Sequence, residues 1–522
     1  MSNKSRHKPL NFNKLKIVIP SVFVIVLMFC EKPLPPKSYF PETGKKALYQ
    51  RSLDLKSNLS VLSIAAQPGK EDLAGLAYFR MAKGATIVSA YVTNGESGES
   101  NIQAEYPPFL AGIRRKEASE ALSFLDGDVH FLNMPDIASA RDTVKVRNLW
   151  QPDTLQLRLQ RLITTFRPNI ILVAPDWITE EENPRQKILC NDIIKAINNV
   201  STKGSIKKIM GLASDNYWDV NRVFAAGFNK NDFNINYDLM HPKWKKSYRK
   251  IGEQAALKYN SLKIQLPLLQ QLGDPSYRLL YSADELKINE IDDGLLKINT
   301  PRFRSIEHKI EKLSDNIIKG KTKGALNQLV AIKDSISIFL IQRYMMFPSE
   351  REALLDWNLG LENLRCSLLG VEIKYSISDT KLTAAQLTFL TIDEIKGIKD
   401  KGKTEIIFSG TNQGWIINES REHKLPLKLH EKYRLVSPQN LNFNFPYGHQ
   451  QIQSATEGIP YFFFLIHNAE KKENSFVYRA RVNFLFAPRF VTEILTPIVR
   501  MIPGEGVAVR LTNISRDGVA DK

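Results

Sequence analysis

Val61-Leu62-Ser63-Ile64-Ala65-Ala66-Gln67-Pro68-Gly69-Lys70-Glu71 is the stretch that decides the fold of this chain. Its apolar run Val61–Ala66 reads as a strand buried on both faces, and Gln67-Pro68-Gly69 interrupts it. A helix-like stretch over Glu71–Lys83 follows, then a second apolar strand over Ala85–Val92, which together spell a βαβ unit. The alternation continues. Phe109–Leu125 reads as a helix, Val129–Leu132 as a short strand, Leu155–Phe166 as a helix and Asn169–Ala174 as a strand, followed by a helix at Gln186–Asn198 and a last strand at Ile206–Leu212. Strands and helices of these lengths predict an α/β fold, a Rossmann-like three-layer arrangement around a parallel sheet. In such a sheet the ligand crevice lies beyond the carboxyl ends of the strands, so the loops that matter are Gln67–Asp72, Thr93–Asn101 and Pro175–Gln186.

Outward from this unit the character changes twice. Residues 231–370 read as a mainly helical, basic segment, and residues 371–522 as an antiparallel β-sandwich-like domain rich in β-branched and aromatic runs between turns. With 59–230 as the α/β domain, 522 residues divide into about three domains, as the length predicts. Hydrophobic residues at 43% and charged residues at 24% exclude a disordered chain or a polytopic membrane protein. The three cysteines exclude a disulfide scaffold and a multi-cysteine zinc module.

The net charge of +17 is uneven. Lys4, Arg6, Lys8, Lys14 and Lys16 precede the apolar run Ile17–Phe29, which ends at Cys30 and is too short for a span of about twenty residues. Residues 1–30 therefore predict an export signal or anchor, with 31–58 as a proline-stiffened tether and lead-in. Leu27-Met28-Phe29-Cys30 resembles a bacterial lipoprotein cleavage box, which makes Cys30 the lipidation candidate; an uncleaved signal-anchor is the alternative. Either places the protein outside the cytoplasm, in the cell envelope and held at the membrane; a cytoplasmic protein with an apolar tail is the third reading.

A second basic cluster, Lys243-Trp244-Lys245-Lys246-Ser247-Tyr248-Arg249-Lys250, reads as a solvated helix face with its aromatics packed inward, or as a patch for an anionic lipid or envelope polymer. Nucleic acid is not an expected partner. Gly397-Ile398-Lys399-Asp400-Lys401-Gly402-Lys403-Thr404 satisfies the G-x-x-x-x-G-K-[ST] pattern, yet the strand-like Glu405–Phe408 follows where a phosphate loop needs a helix, so it reads as a charged hairpin turn. The eight histidines include no H-x-x-H or H-E-x-x-H pair, and none falls in the three crevice loops.

Residues 60–196 carry a family resemblance. The opening strand and loop are similar to those of the PIG-L/LmbE-like N-acetylglucosaminyl deacetylases, whose signature is A-H-P-D-D-E. Thr93-Asn94-Gly95-Glu96-Ser97-Gly98 resembles the family's T-x-G-E-x-G loop, and Ile113-Arg114-Arg115-Lys116-Glu117-Ala118 its I-R-R-x-E-A helix. Val129-His130-Phe131-Leu132-Asn133-Met134-Pro135-Asp136 and Arg167-Pro168-Asn169-Ile170-Ile171-Leu172 resemble its next two strands. The likeness is closest to long exported members with C-terminal β modules.

The resemblance implies a zinc-dependent amide hydrolase, but the residues that would carry it are substituted. Gln67 stands where the family's zinc-binding His belongs, Gly69 where its general base does, and Lys70 where its second metal-binding Asp does. Asn183 and Gln186 take the places of the later histidines, so of the signature only Pro68 and Glu71 are kept after the alanine. Hydrolysis of this type needs a Lewis-acidic metal and a carboxylate base, and these substitutions imply a zinc-free pseudoenzyme without a cofactor. Lys70 is expected either to occupy the vacant metal position, paired with Glu71, Asp72 or Glu96, or to be a solvated loop residue. Arg114 and Arg115 match substrate-contacting positions and imply binding of an amino sugar, a glycan or an anionic head group; helix capping or ion pairing is their plainer role. The competing readings are an active N-deacetylase with ligands rearranged onto Glu71, Asp72, Glu96 and Asp176, and a structural lipoprotein acting through its β domain. Oligomeric state is not legible.

Overall fold

A computed structural model describes residues 44–97, 107–137, 142–174, 184–201, 217–227, 233–262, 275–283, 288–295, 301–341 and 348–397, and in the C-terminal part 404–409, 416–417, 424–426, 428–439, 461–466, 476–481, 485–486, 490–494 and 509–513. Strand β1 (Ser60–Ala65) lies inside a seven-stranded sheet. It pairs in parallel with β2 (Thr86–Tyr91) on one side and β4 (Ile170–Val173) on the other. Outside these, β3 (Asp128–Phe131) pairs with β2 and β5 (Arg222–Gly227) with β4, both in parallel. Two further strands, β6 (Phe233–Asn234) and β7 (Ser276–Ser282), complete the order β3-β2-β1-β4-β5-β7-β6, with β7 antiparallel to both neighbours.

Alternate strand residues feed two cores. Val61, Ala65, Ile87, Tyr91, Ile170 and Leu172 face one layer, built from α2 (Leu73–Lys83), α3 (Pro107–Phe124) and α7 (Tyr248–Ala256). Leu62, Ile64, Val88, Ala90, Ile171 and Val173 face the other, built from α4 (Thr143–Trp150), α5 (Pro152–Phe166) and α6 (Pro184–Val200). This is the three-layer parallel fold expected from the apolar runs, which are continuous because helices cover both faces.

Three elements of the sheet unit are less visible in the sequence. β5 opens on Arg222, which is buried because its guanidinium donates to the carbonyls of Ile291 and Asp293 at 3.0 and 2.5 Å. α4 buries only Val146 and Trp150, too little for a clear period. β7 lies within the stretch read as helical, and it extends the first sheet beyond residue 230. The strand expected at Ile206–Leu212 lies outside the described residues.

Residues 44–56, within the lead-in, form helix α1 (Gly44–Lys56). Arg80 of α2 binds it: the buried guanidinium reaches Asp54 at 2.5 and 3.0 Å and Asp126 at 2.7 Å. Leu55 of the same helix enters a second core with α8 (Arg304–Ile318), α9 (Ala325–Ile341) and α10 (Pro348–Leu368), where Trp357, Leu361 and Ile310 pack. The helix thus joins the sheet unit to the helical bundle.

The C-terminal part contains two four-stranded antiparallel sheets. The strand Leu387–Lys396 belongs to one and Thr404–Ser409 to the other, so the Gly397–Thr404 segment connects two sheets and does not close the hairpin expected from sequence. A strand follows it, as read. No helix among the described residues is long and apolar enough to cross a membrane.

The close approach of α7 to α2 is set by Gly252: a Cβ there would stand 2.6 Å from the backbone of Ala74. Gly252→Ala should therefore cost about 1–3 kcal/mol, seen as a lower thermal midpoint. An unchanged midpoint would contradict this packing.

Candidate functional site

The loop after β1 is shaped by two neighbouring carboxylates. Gly69 sits at φ 82°, in the left-handed region, and its N–H donates to Glu71 Oε2 at 2.9 Å. Tyr259, just past α7, donates its hydroxyl to Glu71 Oε1 at 2.5 Å and lies 3.2 Å from the Tyr91 hydroxyl at the end of β2. Both Glu71 oxygens are occupied. Burial raises the Glu71 carboxyl above its ordinary range, and the hydrogen bonds from Tyr259, Tyr91 and Gly69 partly offset this.

Asp72 caps α2 by accepting from Gly75 N–H at 2.9 Å with one oxygen. Its other oxygen accepts from the hydroxyls of Tyr237, at 2.6 Å, and Tyr277. Burial, and then the adjacent carboxylate, pushes the hydroxyls of Tyr259, Tyr277 and Tyr237 well above their ordinary range, so they remain neutral donors.

Lys70 is 7% exposed, so it is not the solvated loop residue of the plainer expectation. Gln67 is half-buried. A Cβ at Gly69 would run into the Leu262 side chain, which fills the direction an aspartate would need.

The loop after β2 forms a second polar knot. Glu96 accepts from the N–H groups of Asn94 and Asp136, each at 3.2 Å. Asp136, at the end of the fourth family-like segment, accepts from Thr93 Oγ1 at 3.1 Å and Ser97 N–H at 3.0 Å. Arg114 is buried and donates to the Gly95 carbonyl at 2.5 Å, so its visible task is to hold this loop. Arg115 is buried as well, and burial brings it down to about 10, with Glu96 opposing the shift. Glu117, on the same helix, binds the backbone and hydroxyl of Ser261 at 2.9 and 2.6 Å, which fixes the segment that carries Tyr259 and Leu262.

The first turn of α6 reaches the same edge of the sheet. Gln186 donates to the Ala226 carbonyl at the end of β5, 2.7 Å away, and Arg185 lies 3.8 Å from Asp136. Gln67, Lys70, Glu71, Glu96, Arg114 and Gln186 are thus all placed at the carboxyl edge of the parallel strands. Asp176, Asn183 and Cys30 lie outside the described residues. Among the described residues no group of three or more His, Cys, Asp or Glu gathers to hold a metal ion. The tyrosines at 91, 237, 259 and 277 and the Glu117–Ser261 contact have no counterpart in the sequence reading, because nothing local links them to Glu71 or Asp72.

Residues 73–184 match the family model of PIG-L, GlcNAc-PI de-N-acetylase. This stretch is a PIG-L-type domain. The match opens at Leu73, directly after the Gln67–Asp72 loop. Solved structures similar to the chain include N,N'-diacetylchitobiose deacetylase from Pyrococcus horikoshii, with 14% identity, covering 42% of this chain and 83% of its own at a TM-score of 0.31. They also include 4-carboxy-2-hydroxymuconate hydratase from Pseudomonas putida, with 15% identity, 44% and 99% coverage and a TM-score of 0.31. A deacetylase of teicoplanin biosynthesis, solved with teicoplanin, shares 14% identity at 43% and 99% coverage with a TM-score of 0.28. No curated protein matches the chain in sequence.

Two outcomes test this geometry. Tyr259→Phe should destabilise the PIG-L-type domain by about 1–3 kcal/mol in chemical denaturation, since it leaves a buried carboxylate oxygen without its donor. Because the folded pKa of Glu71 lies above its ordinary 4.5, ionising it opposes folding, and stability falls as pH rises from 4.5 through the raised value. Glu71→Gln should lack that component of the slope. Parallel profiles for both proteins would contradict a buried, titrating Glu71.

Proposed function

We propose that the PIG-L-type domain is a zinc-free pseudo-deacetylase whose crevice binds an amino sugar or a glycan of the cell envelope. The observation that carries the proposal is the buried Lys70 side chain at the position of a metal-binding carboxylate. The resemblance implies a zinc ion there, and the described donors do not suit one. Gln67 offers a neutral amide, Lys70 adds positive charge, and Gln186 is engaged with the Ala226 carbonyl.

The base is missing for a related reason. Gly69 has no side chain, and Leu262 stands in the direction of its absent Cβ. Glu71 and Asp72 are the nearest substitutes, but each is committed on both oxygens to tyrosines or backbone donors. A base so engaged would have to give up these bonds to approach a water. This weighs against the rearranged, active deacetylase. Recognition is a lighter demand, and the polar edge formed by Gln67 and Glu96 supports it.

Export and anchoring belong to the same proposal. The basic residues before Ile17, the apolar run and Cys30 support an envelope location with the chain held at a membrane by lipidated Cys30 or an uncleaved signal-anchor.

Purified full-length protein should bind N-acetylglucosamine oligosaccharides without releasing acetate. Gln67→Ala combined with Lys70→Met should weaken that binding roughly tenfold, the loss expected for hydrogen bonds to a charged group. Acetate release that depends on a divalent metal and is abolished by Glu71→Ala would overturn the proposal. Absence of saccharide binding in the folded protein would sink the crevice reading and favour the C-terminal β domain as the working part.

A further inference from the structure

The basic cluster at 243–250 is not a helix face. Its first half is a tight turn, and only from Tyr248 does it run as α7. Met240 and Ser247 form a β-bridge, His241 N–H donates to the Lys246 carbonyl at 2.8 Å, and Lys245 N–H donates to the His241 carbonyl at 3.0 Å. The His241 ring, 2% exposed, accepts the N–H groups of Trp244 and Lys243 on Nδ1 at 3.0 and 3.2 Å. The turn is therefore fixed from within.

Its outer surface combines two chemistries. Leu239 and Met240 are 49% and 53% exposed, and Lys243 and Lys245 stand exposed beside them. Arg249 is paired with Asp238 at 2.8 Å and Lys250 with Glu253 at 2.9 Å, whereas Lys243 and Lys245 form no ion pair among the described residues. The start of α1 adds to the same face: the Lys46 ammonium lies 5.5 Å from the Trp244 ring centre, the Lys243 ammonium 5.4 Å from that of Tyr49, and Lys45 is exposed next to them.

We propose that this turn, with the first turn of α1, is a docking face for an anionic lipid bilayer. Lysines alone would suit any polyanion. The exposed leucine and methionine select the bilayer, because apolar tips enter the acyl boundary while neighbouring lysines meet lipid phosphates. The position of α1 agrees. Gly44 opens that helix on this face, and the chain from Cys30 to Gly44 spans at most about 50 Å when extended, within reach of a membrane that holds the N-terminal segment. Tyr259, which binds Glu71, follows the other end of α7, roughly 14 Å along the helix axis from this turn. The inference rests on the anchoring reading for its membrane and is independent of the crevice's ligand.

The test is vesicle co-sedimentation of the full-length protein, with vesicles of phosphatidylcholine alone and of phosphatidylcholine mixed with phosphatidylglycerol. Wild-type protein should prefer the anionic vesicles, and raising the salt concentration should erase the preference. Lys243→Glu with Lys245→Glu should weaken anionic-vesicle binding by roughly 30-fold or more, given about fivefold per lysine near such a surface. Leu239→Ser with Met240→Ser should weaken binding to anionic vesicles with the fold intact by circular dichroism. Equal binding of wild-type protein and both variants would overturn the docking face while leaving anchoring in place. No binding to either vesicle would overturn both. Loss of binding to soluble polyglutamate in the lysine variant, with vesicle binding unchanged, would assign the face to a soluble polyanion and overturn the bilayer.

Discussion

Two adjacent carboxylates held under tyrosine hydroxyls fix the edge of the sheet on which everything functional depends. Glu71 and Asp72 close the loop after β1, and Tyr259, Tyr237 and Tyr277 come to them from residues far along the chain. Hydrogen bonds to charged groups are worth about 1.5–3 kcal/mol each, and a buried carboxylate deprived of them costs at least as much. The clamp explains why β6, α7 and β7 must pack on the PIG-L-type domain. They supply the tyrosines, and Gly252 lets α7 come close enough to deliver Tyr259.

This arrangement also gives a physical account of which family-like residues are kept and which are changed. Glu71 ties Gly69 to Tyr259, and Arg114 ties the Gly95 carbonyl to α3. These residues hold loops in place, so they are needed whether or not the crevice does chemistry. The resemblance implies that Gln67, Gly69 and Lys70 stand where the family binds a metal or moves a proton. The proposed function rests on this division: architecture and chemistry fall to different residues of one short loop.

Much of this was legible in the sequence for a simple reason. β1, β2 and β4 are buried on both faces, and their interiors are apolar apart from the small buried Ser63 and Ser89. The substitutions in the Gln67–Glu71 loop were equally plain, since they are local. The rest depends on contacts between distant residues. Arg222 is buried in a strand only because of its partners, the Ile291 and Asp293 carbonyls, which lie about 70 residues along the chain. Lys70 could be weighed as solvated or buried, and only the fold decides for burial. The aromatics of the basic cluster pack inward as expected, with Tyr248 2% exposed, but its first half forms a turn because His241 draws the Lys243 and Trp244 N–H groups onto its ring. Nothing in the local pattern announces that contact.

The central claim is that the tyrosine-clamped loop no longer forms a zinc site. Calorimetric titration of zinc into chelator-treated full-length protein tests it most directly. The account predicts no saturable uptake near one equivalent, in wild-type protein or in Glu71→Ala. A one-to-one site in wild-type protein that Glu71→Ala removes would contradict it.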